Sequence, residues 1–150
     1  MTDFKKPHEI SSNSEEETQK IAADLANNTE STRIILLNGL LGAGKTTFVK
    51  GFARAMGANL NAIKSPTYTY IRVYNSLNKK IVHLDLYRMN ALNVEFIEEL
   101  QEYLENEQNL IIIEWPEKVK DFLPQNRYEI MFEHGENPNE RLLKINYAGT

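Results

Sequence analysis

The sequence predicts an α/β fold of three layers, with parallel core strands extended by antiparallel strands and helices on both faces. Three observations carry this expectation. Ile34-Ile35-Leu36-Leu37 and Leu110-Ile111-Ile112-Ile113 are short, wholly apolar runs, the pattern of strands buried on both faces. Segments of helical period separate the candidate strands. Polar, chemistry-bearing residues come directly after both apolar runs, and in open α/β sheets the ligand sits at that C-terminal edge.

Along the chain, residues 1–13 are polar and are expected to be mobile. Ser14-Glu15-Glu16-Glu17 fits a capping box, and residues 18–26 continue as a helix with Ile21, Ala22 and Leu25 inward. Residues 34–37 form the first core strand. Residues 46–56 are helix-like, with Phe48, Phe52 and Ala55 on one face and Gly57 as the stop. Residues 67–74 and 80–86 read as strands joined by a turn, an antiparallel hairpin. Tyr68, Tyr70 and Tyr74 share one face of the first, as a half-buried strand requires, and base stacking is the alternative. Asn93 caps a helix running to about Asn106 with Ile97, Leu100 and Leu104 inward. Its remaining surface carries Glu95, Glu98, Glu99, Glu102 and Glu105, a solvated acidic face or a docking surface for a basic partner. Residues 110–113 form the second core strand, succeeded by a short helix to Phe122. Two alternating runs, 128–132 and 142–147, close the chain as added antiparallel strands joined by a turn containing Gly135, Asn137 and Pro138.

The 150 residues read as one domain with little room for a lid. A net charge of -4, from 17 basic and 21 acidic residues, argues against nucleic-acid binding by this chain alone. Absence of cysteine excludes disulfides, thiolate chemistry and Cys-type zinc sites. No apolar stretch approaches membrane length and residues 1–14 lack an apolar signal region, so the expected address is the cytoplasm, with no membrane partner.

The chemistry begins at residues 39–46, Gly39-Leu40-Leu41-Gly42-Ala43-Gly44-Lys45-Thr46, which spell G-x-x-x-x-G-K-T between a strand and a helix. Such a loop wraps phosphate oxygens with inward N–H groups, here from Leu41, Gly42, Ala43, Gly44, Lys45, Thr46 and Thr47. Lys45 adds charge near the β and γ phosphates, and the Thr46 hydroxyl ligates Mg²⁺. The expected fold is therefore P-loop NTPase-like, with a nucleotide and Mg²⁺ as cofactors. The loop alone leaves ATPase, GTPase and kinase open, and ATP is favoured because the sequence lacks a guanine-recognition motif.

A second metal ligand is expected from an acid on a neighbouring strand, and Asp85 and Glu114 compete for that role. Glu114 comes after a continuous apolar run beside the first core strand and is assigned to the metal. Asp85 sits in an alternating strand, sharing a side with Ile81 and His83, and is left to orient the attacking water or ligate through water. The structural alternative pairs either acid with Arg88 or Lys118. His83 either contacts phosphate, positions Asp85 or is a satisfied strand histidine. Arg88 is either an arginine-finger group or a surface ion pair. Ser65-Pro66-Thr67 lies where nucleotide switches place a γ-phosphate sensor, although alone it is only a turn.

Four motifs in register then resemble one family. Gly39-Leu40-Leu41-Gly42-Ala43-Gly44-Lys45-Thr46-Thr47, Lys64-Ser65-Pro66-Thr67-Tyr68-Thr69, His83-Leu84-Asp85-Leu86-Tyr87-Arg88 and Ile113-Glu114-Trp115-Pro116-Glu117 look like the TsaE (YjeE) ATPases. The resemblance covers about residues 14–124. It implies a weak Mg-dependent ATPase needed for threonylcarbamoyl-adenosine (t6A) formation at position 37 of ANN-decoding tRNAs. Its partners would be the TsaB and TsaD proteins, with tRNA held mainly through that complex, which relieves the conflict with a net negative chain. By the same resemblance Lys45, Asp85 and Glu114 are catalytic, Thr46 and Glu114 hold metal, and Ser65, Pro66, Thr67 and Trp115 belong to switch segments. Glu15 and Thr18 resemble a stretch beside the nucleotide. The chain departs at Leu40, where the family usually has Asp.

Other function classes remain distinguishable. A small-molecule or nucleotide kinase shares the loop, but no Arg-rich lid segment appears between Asn90 and Asn109. A guanine-nucleotide module would need Asn/Thr-Lys-x-Asp, and Asn78-Lys79-Lys80-Ile81 lacks the Asp.

Overall fold

In the computed structural model the described residues are 3–28, 33–40, 42–60, 63–64, 70–77 and 79–149, with backbone alone for 63 and 64. The strands are β1 (His8–Ser12), β2 (Ile34–Gly39), β3 (Ile63–Lys64), β4 (Ile71–Asn75), β5 (Lys80–Asp85), β6 (Asn109–Glu114), β7 (Tyr128–His134) and β8 (Arg141–Tyr147). The helices are α1 (Glu15–Ala26), α2 (Lys45–Ala55) and α3 (Val94–Glu105). Among the described residues the strands form one sheet in the order β1-β8-β7-β2-β6-β5-β4-β3.

Four strands, β7, β2, β6 and β5, run parallel, and antiparallel strands extend both ends. From β2 the chain steps past β6 to β5 through α2, then returns through α3 to the position beside β2. Right-handed crossovers made in opposite directions place their helices on opposite faces. One core accordingly joins Ile35, Leu37 and Ile112 to Phe48 and Phe52 of α2 and Leu25 of α1. The other joins Leu36, Leu84 and Ile113 to Phe96 and Leu100 of α3. This is the three-layer α/β arrangement expected from the apolar runs.

Local signals place the helices. Ser14 Oγ accepts from Glu17 N–H at 3.1 Å, and the Glu17 carboxylate accepts from Asn13 N–H at 2.7 Å, so both ends of the cap are closed. Asn93 Oδ1 caps α3 by accepting from Phe96 N–H at 2.7 Å. Gly57, at φ +77, ends α2 as its position foretells.

Several expectations need correction. Residues 8–12, expected to be mobile, pair with β8, and Phe4 is buried, because the core recruits them as an edge strand. Residues 128–132 belong to β7, which pairs parallel with β2 rather than antiparallel, while β8 returns antiparallel as expected. Alternation reports a strand with one covered face; it carries no information on pairing sense. Residues 81–84 of β5 are all buried, so β5 is covered on both faces like β6, and alternation does not separate Asp85 from Glu114. The inward residues of α3 are Phe96 and Leu100, with Ile97 and Leu104 only partly buried. The short helix to Phe122 is two 3₁₀ turns, Pro116–Lys118 and Lys120–Phe122. Tyr74 and Tyr70 pack into opposite cores rather than one stripe, and Tyr68 lies outside the described residues.

Candidate functional site

The C-terminal ends of β1, β2, β5, β6 and β7 all meet one edge of the sheet, because β1 runs in the same sense as the parallel strands. The loops leaving these strand ends therefore converge without any sequence proximity. A cavity of about 750 Å³ opens there, lined by Asn13, Ser14, Glu15 and Thr18 from the β1–α1 junction. Gly42, Gly44, Lys45, Thr46 and Thr47 come from the glycine-rich loop and α2, Asn139 from the β7–β8 turn and Arg141 from the start of β8. Asp85, Tyr87, Arg88, Glu114 and Trp115 complete the wall. This is the crevice beside the strand from which the crossovers diverge, where open α/β sheets bind ligands.

Two glycines make the loop geometrically possible. Gly39 leaves β2 at φ +137, and a Cβ there would overlap the Phe132 carbonyl oxygen, so a side chain has neither the dihedral nor the space. Gly44 enters α2 at φ 98, and it lines the cavity together with the first helical residues Lys45, Thr46 and Thr47, so the helix N-terminus abuts the cavity. Lys45 is buried, and its Nζ donates to the carbonyl oxygens of Gly39 at 2.5 Å and Leu40 at 3.1 Å. The ammonium also stands 3.9 Å from the ring centroid of Trp115, a cation–π contact. Burial lowers the Lys45 pKa from its ordinary value, and the nearby Glu114, Asp85 and Glu117 carboxylates oppose that shift. Trp115 itself adopts φ 58, ψ 59, a left-handed conformation that costs a non-glycine residue about 1–2 kcal/mol. Its ring also packs on Tyr87 at 4.9 Å.

Asp85 and Glu114 are register partners on β5 and β6, side by side at the strand ends. Their environments differ. Glu114 is buried, receives the Thr46 hydroxyl at 3.1 and 3.2 Å, and accepts from His83 Nε2 at 2.6 Å. Asp85 is exposed on the cavity wall, with Oδ1 accepting from Tyr87 N–H at 3.2 Å. Neither acid takes Arg88 or Lys118 as an ion-pair partner among the described residues. His83 thus serves Glu114 rather than Asp85. A smaller recess of about 280 Å³ continues past Asp85, lined by Thr46, Tyr70, Arg72, His83, Asp85, Tyr87 and Arg88.

The Thr46 hydroxyl and Glu114 carboxylate form a converging pair of hard oxygen donors, the donor set a small divalent cation takes alongside phosphate oxygens. Among the described residues no group of three or more His, Cys, Asp or Glu side chains could hold a metal by itself. A cation there would need oxygens supplied by a bound phosphate.

Of the residues singled out from sequence, Glu15, Thr18, Gly42, Gly44, Lys45, Thr46, Thr47, Asp85, Arg88, Glu114 and Trp115 come together on this wall. Ala43 is buried beneath the loop, its N–H donating to Leu40 O at 3.2 Å. Leu41, Ser65, Pro66 and Thr67 lie outside the described residues. Leu40 is 64% exposed at the loop. Asn13, Ser14, Tyr87, Asn139 and Arg141 were not foreseen. Arg141 donates to Gly42 O at 3.3 Å and to Pro138 O and Glu140 O at 2.8 and 2.9 Å, so the turn braces the loop. A lone arginine at the start of an alternating run carries no sequence signal of that role. No helix among the described residues is long and apolar enough to cross a membrane.

Comparison with known proteins bears on the family and the fold. A family model described as "Threonylcarbamoyl adenosine biosynthesis protein TsaE" matches residues 12–143. The tRNA threonylcarbamoyladenosine biosynthesis protein TsaE of Rickettsia conorii is 39% identical over 133 residues, 89% of this chain and 74% of that protein. Its counterpart in Bacillus subtilis is 36% identical over 134 residues, 89% and 82% of the two chains. A crystal structure of Bacillus subtilis YdiB superposes with a TM-score of 0.75 at 32% identity, covering 96% of this chain and 87% of that one.

Proposed function

The chain belongs to the TsaE family of threonylcarbamoyl adenosine biosynthesis proteins, and from that membership we propose that it binds Mg-ATP in the edge cavity and hydrolyses it slowly. Hydrolysis acts as a nucleotide switch on a TsaB–TsaD complex during t6A formation at position 37 of ANN-decoding tRNAs. The observation that carries this reading is the convergence of Lys45, Thr46, Asp85 and Glu114 on one cavity behind a glycine-rich helix entrance.

Each side chain has a role fixed by its chemistry. The N–H groups at the start of α2 bind phosphate oxygens, and Lys45 neutralises charge at the β–γ bridge. Thr46 and Glu114 would hold Mg²⁺, which when bound neutralises the β and γ oxygens. Asp85, exposed beside Glu114, accepts a hydrogen bond from a water and orients it toward the γ-phosphorus. Arg88 reaches the same wall and offsets charge developing on the γ-oxygens. The nucleoside points away from the two acids, toward Asn13, Glu15, Asn139 and Arg141.

Titration of Trp115 fluorescence with Mg-ATP and Mg-GTP tests binding, since this single tryptophan touches Lys45. ATP is expected to change the emission at lower concentration than GTP. Asp85→Ala should keep most of that binding while losing about 100-fold or more in turnover. Turnover should rise when TsaB, TsaD and tRNA are added. Rapid turnover indifferent to them, or phosphate transfer to a small molecule instead of water, would defeat the proposal.

A further inference from the structure

His83 does not line the edge cavity, yet its imidazole is bonded to one of the acids that do. It is 3% exposed, and its Nε2 lies 2.6 Å from Glu114 Oε2, itself on a residue 3% exposed. A carboxylate only accepts, so Nε2 carries the hydrogen. The imidazole stacks on Tyr74 with an interplanar angle of 21°, and its Nδ1 has no hydrogen-bond partner among the described residues. Among the described residues the bond to Glu114 is therefore the buried ring's single hydrogen bond.

We infer that His83 sets the metal preference of the site by restricting Glu114 to ligation through one oxygen. Oε2 accepts from the imidazole at 2.6 Å and from the Thr46 hydroxyl at 3.1 Å, whereas Oε1 meets only the Thr46 hydroxyl, at 3.2 Å, and has no tie to the ring. A cation that took both carboxylate oxygens would pull Oε2 from His83 and leave the buried ring without a partner at either nitrogen. Mg²⁺ is small and octahedral and accepts one oxygen per carboxylate. Ca²⁺ takes more ligands and readily uses both. Holding one oxygen back thus favours Mg²⁺ over Ca²⁺, a preference written into β5 rather than into the ligands themselves. His83 is on this account a positioning residue.

The inference rests on the Mg-nucleotide reading, and one experiment separates the two. The full chain is titrated with ADP, then with Mg²⁺ or Ca²⁺ in the presence of ADP, monitoring Trp115 emission. His83→Met removes the donor at similar bulk, and His83→Gln retains a side-chain N–H. The ratio of half-saturating Ca²⁺ to Mg²⁺ should fall about tenfold or more in His83→Met and recover in His83→Gln, with metal-free ADP affinity equal in all three. An unchanged ratio in His83→Met overturns the role of His83. A wild-type chain that binds no ADP defeats the nucleotide reading instead. Where His83→Met fails to fold, infrared difference spectra of wild type against Glu114→Gln decide. Wide splitting of the carboxylate stretches, the mark of one-oxygen ligation, supports the inference with either cation, and narrow splitting overturns it.

Discussion

Lys45 shows how a charged group is carried into the site. Its stem is buried, its ammonium is held by two loop carbonyls and an indole face, and burial still lowers its pKa despite three opposing carboxylates. Between the lowered folded value and the ordinary 10.5, the unfolded chain binds more protons than the folded one at this residue. Stability from this group therefore rises with pH across that window and is flat below it. Comparing urea unfolding of wild type and Lys45→Met from pH 7 to 10.5 should show that rise in the wild type relative to the variant. Parallel pH profiles would contradict it. The loop glycines, Lys45 and both acids were legible because they form local motifs. His83 was visible as a residue but not as the partner of Glu114, since that contact joins positions 31 apart on neighbouring strands.

At the scale of elements, the site depends on how closely α1 approaches α2. A Cβ on Gly51 would lie 2.6 Å from Gln19 Cα and 2.8 Å from Gln19 O, both backbone atoms of α1. Alanine is the better helix former by about 1 kcal/mol. The clash costs more, about 1–3 kcal/mol, because α1 is pinned by buried Thr18, Ile21 and Ala22 and has no room to yield. Gly51→Ala is thus expected to be net destabilising in a urea titration, although propensity alone gives the opposite sign. A stabilised variant would mean that the helices separate freely. The cap residues and inner faces of α1 and α2 were readable from spacing. In α3 the spacing pointed to Ile97, and packing against the sheet buried Phe96 instead, with its edge contact to Tyr70.

Over the whole molecule, β1 is more than a trailing edge. It pairs along β8, and its last residue, Ser12, is fully buried with its Oγ 2.7 Å from Thr18 Oγ1. Asn13, Ser14 and Glu15, next in the chain, line the cavity. Removing residues 1–12 should therefore lower both the unfolding midpoint and the affinity for Mg-ADP, measured by thermal unfolding and Trp115 titration. Lost stability with intact affinity would confine β1 to a structural role. The layered α/β class, the phosphate-type loop, the two acids and the helix boundaries were determined by the sequence alone, all being properties encoded within a few residues or one repeat period. Only the tertiary structure decided that β7 lies parallel to β2, that residues 8–12 join the sheet, that Arg141 braces the loop, and that His83 pairs with Glu114 rather than with Asp85. Those outcomes depend on strand order and pairing sense, which arise from contacts between distant segments competing for the same two cores.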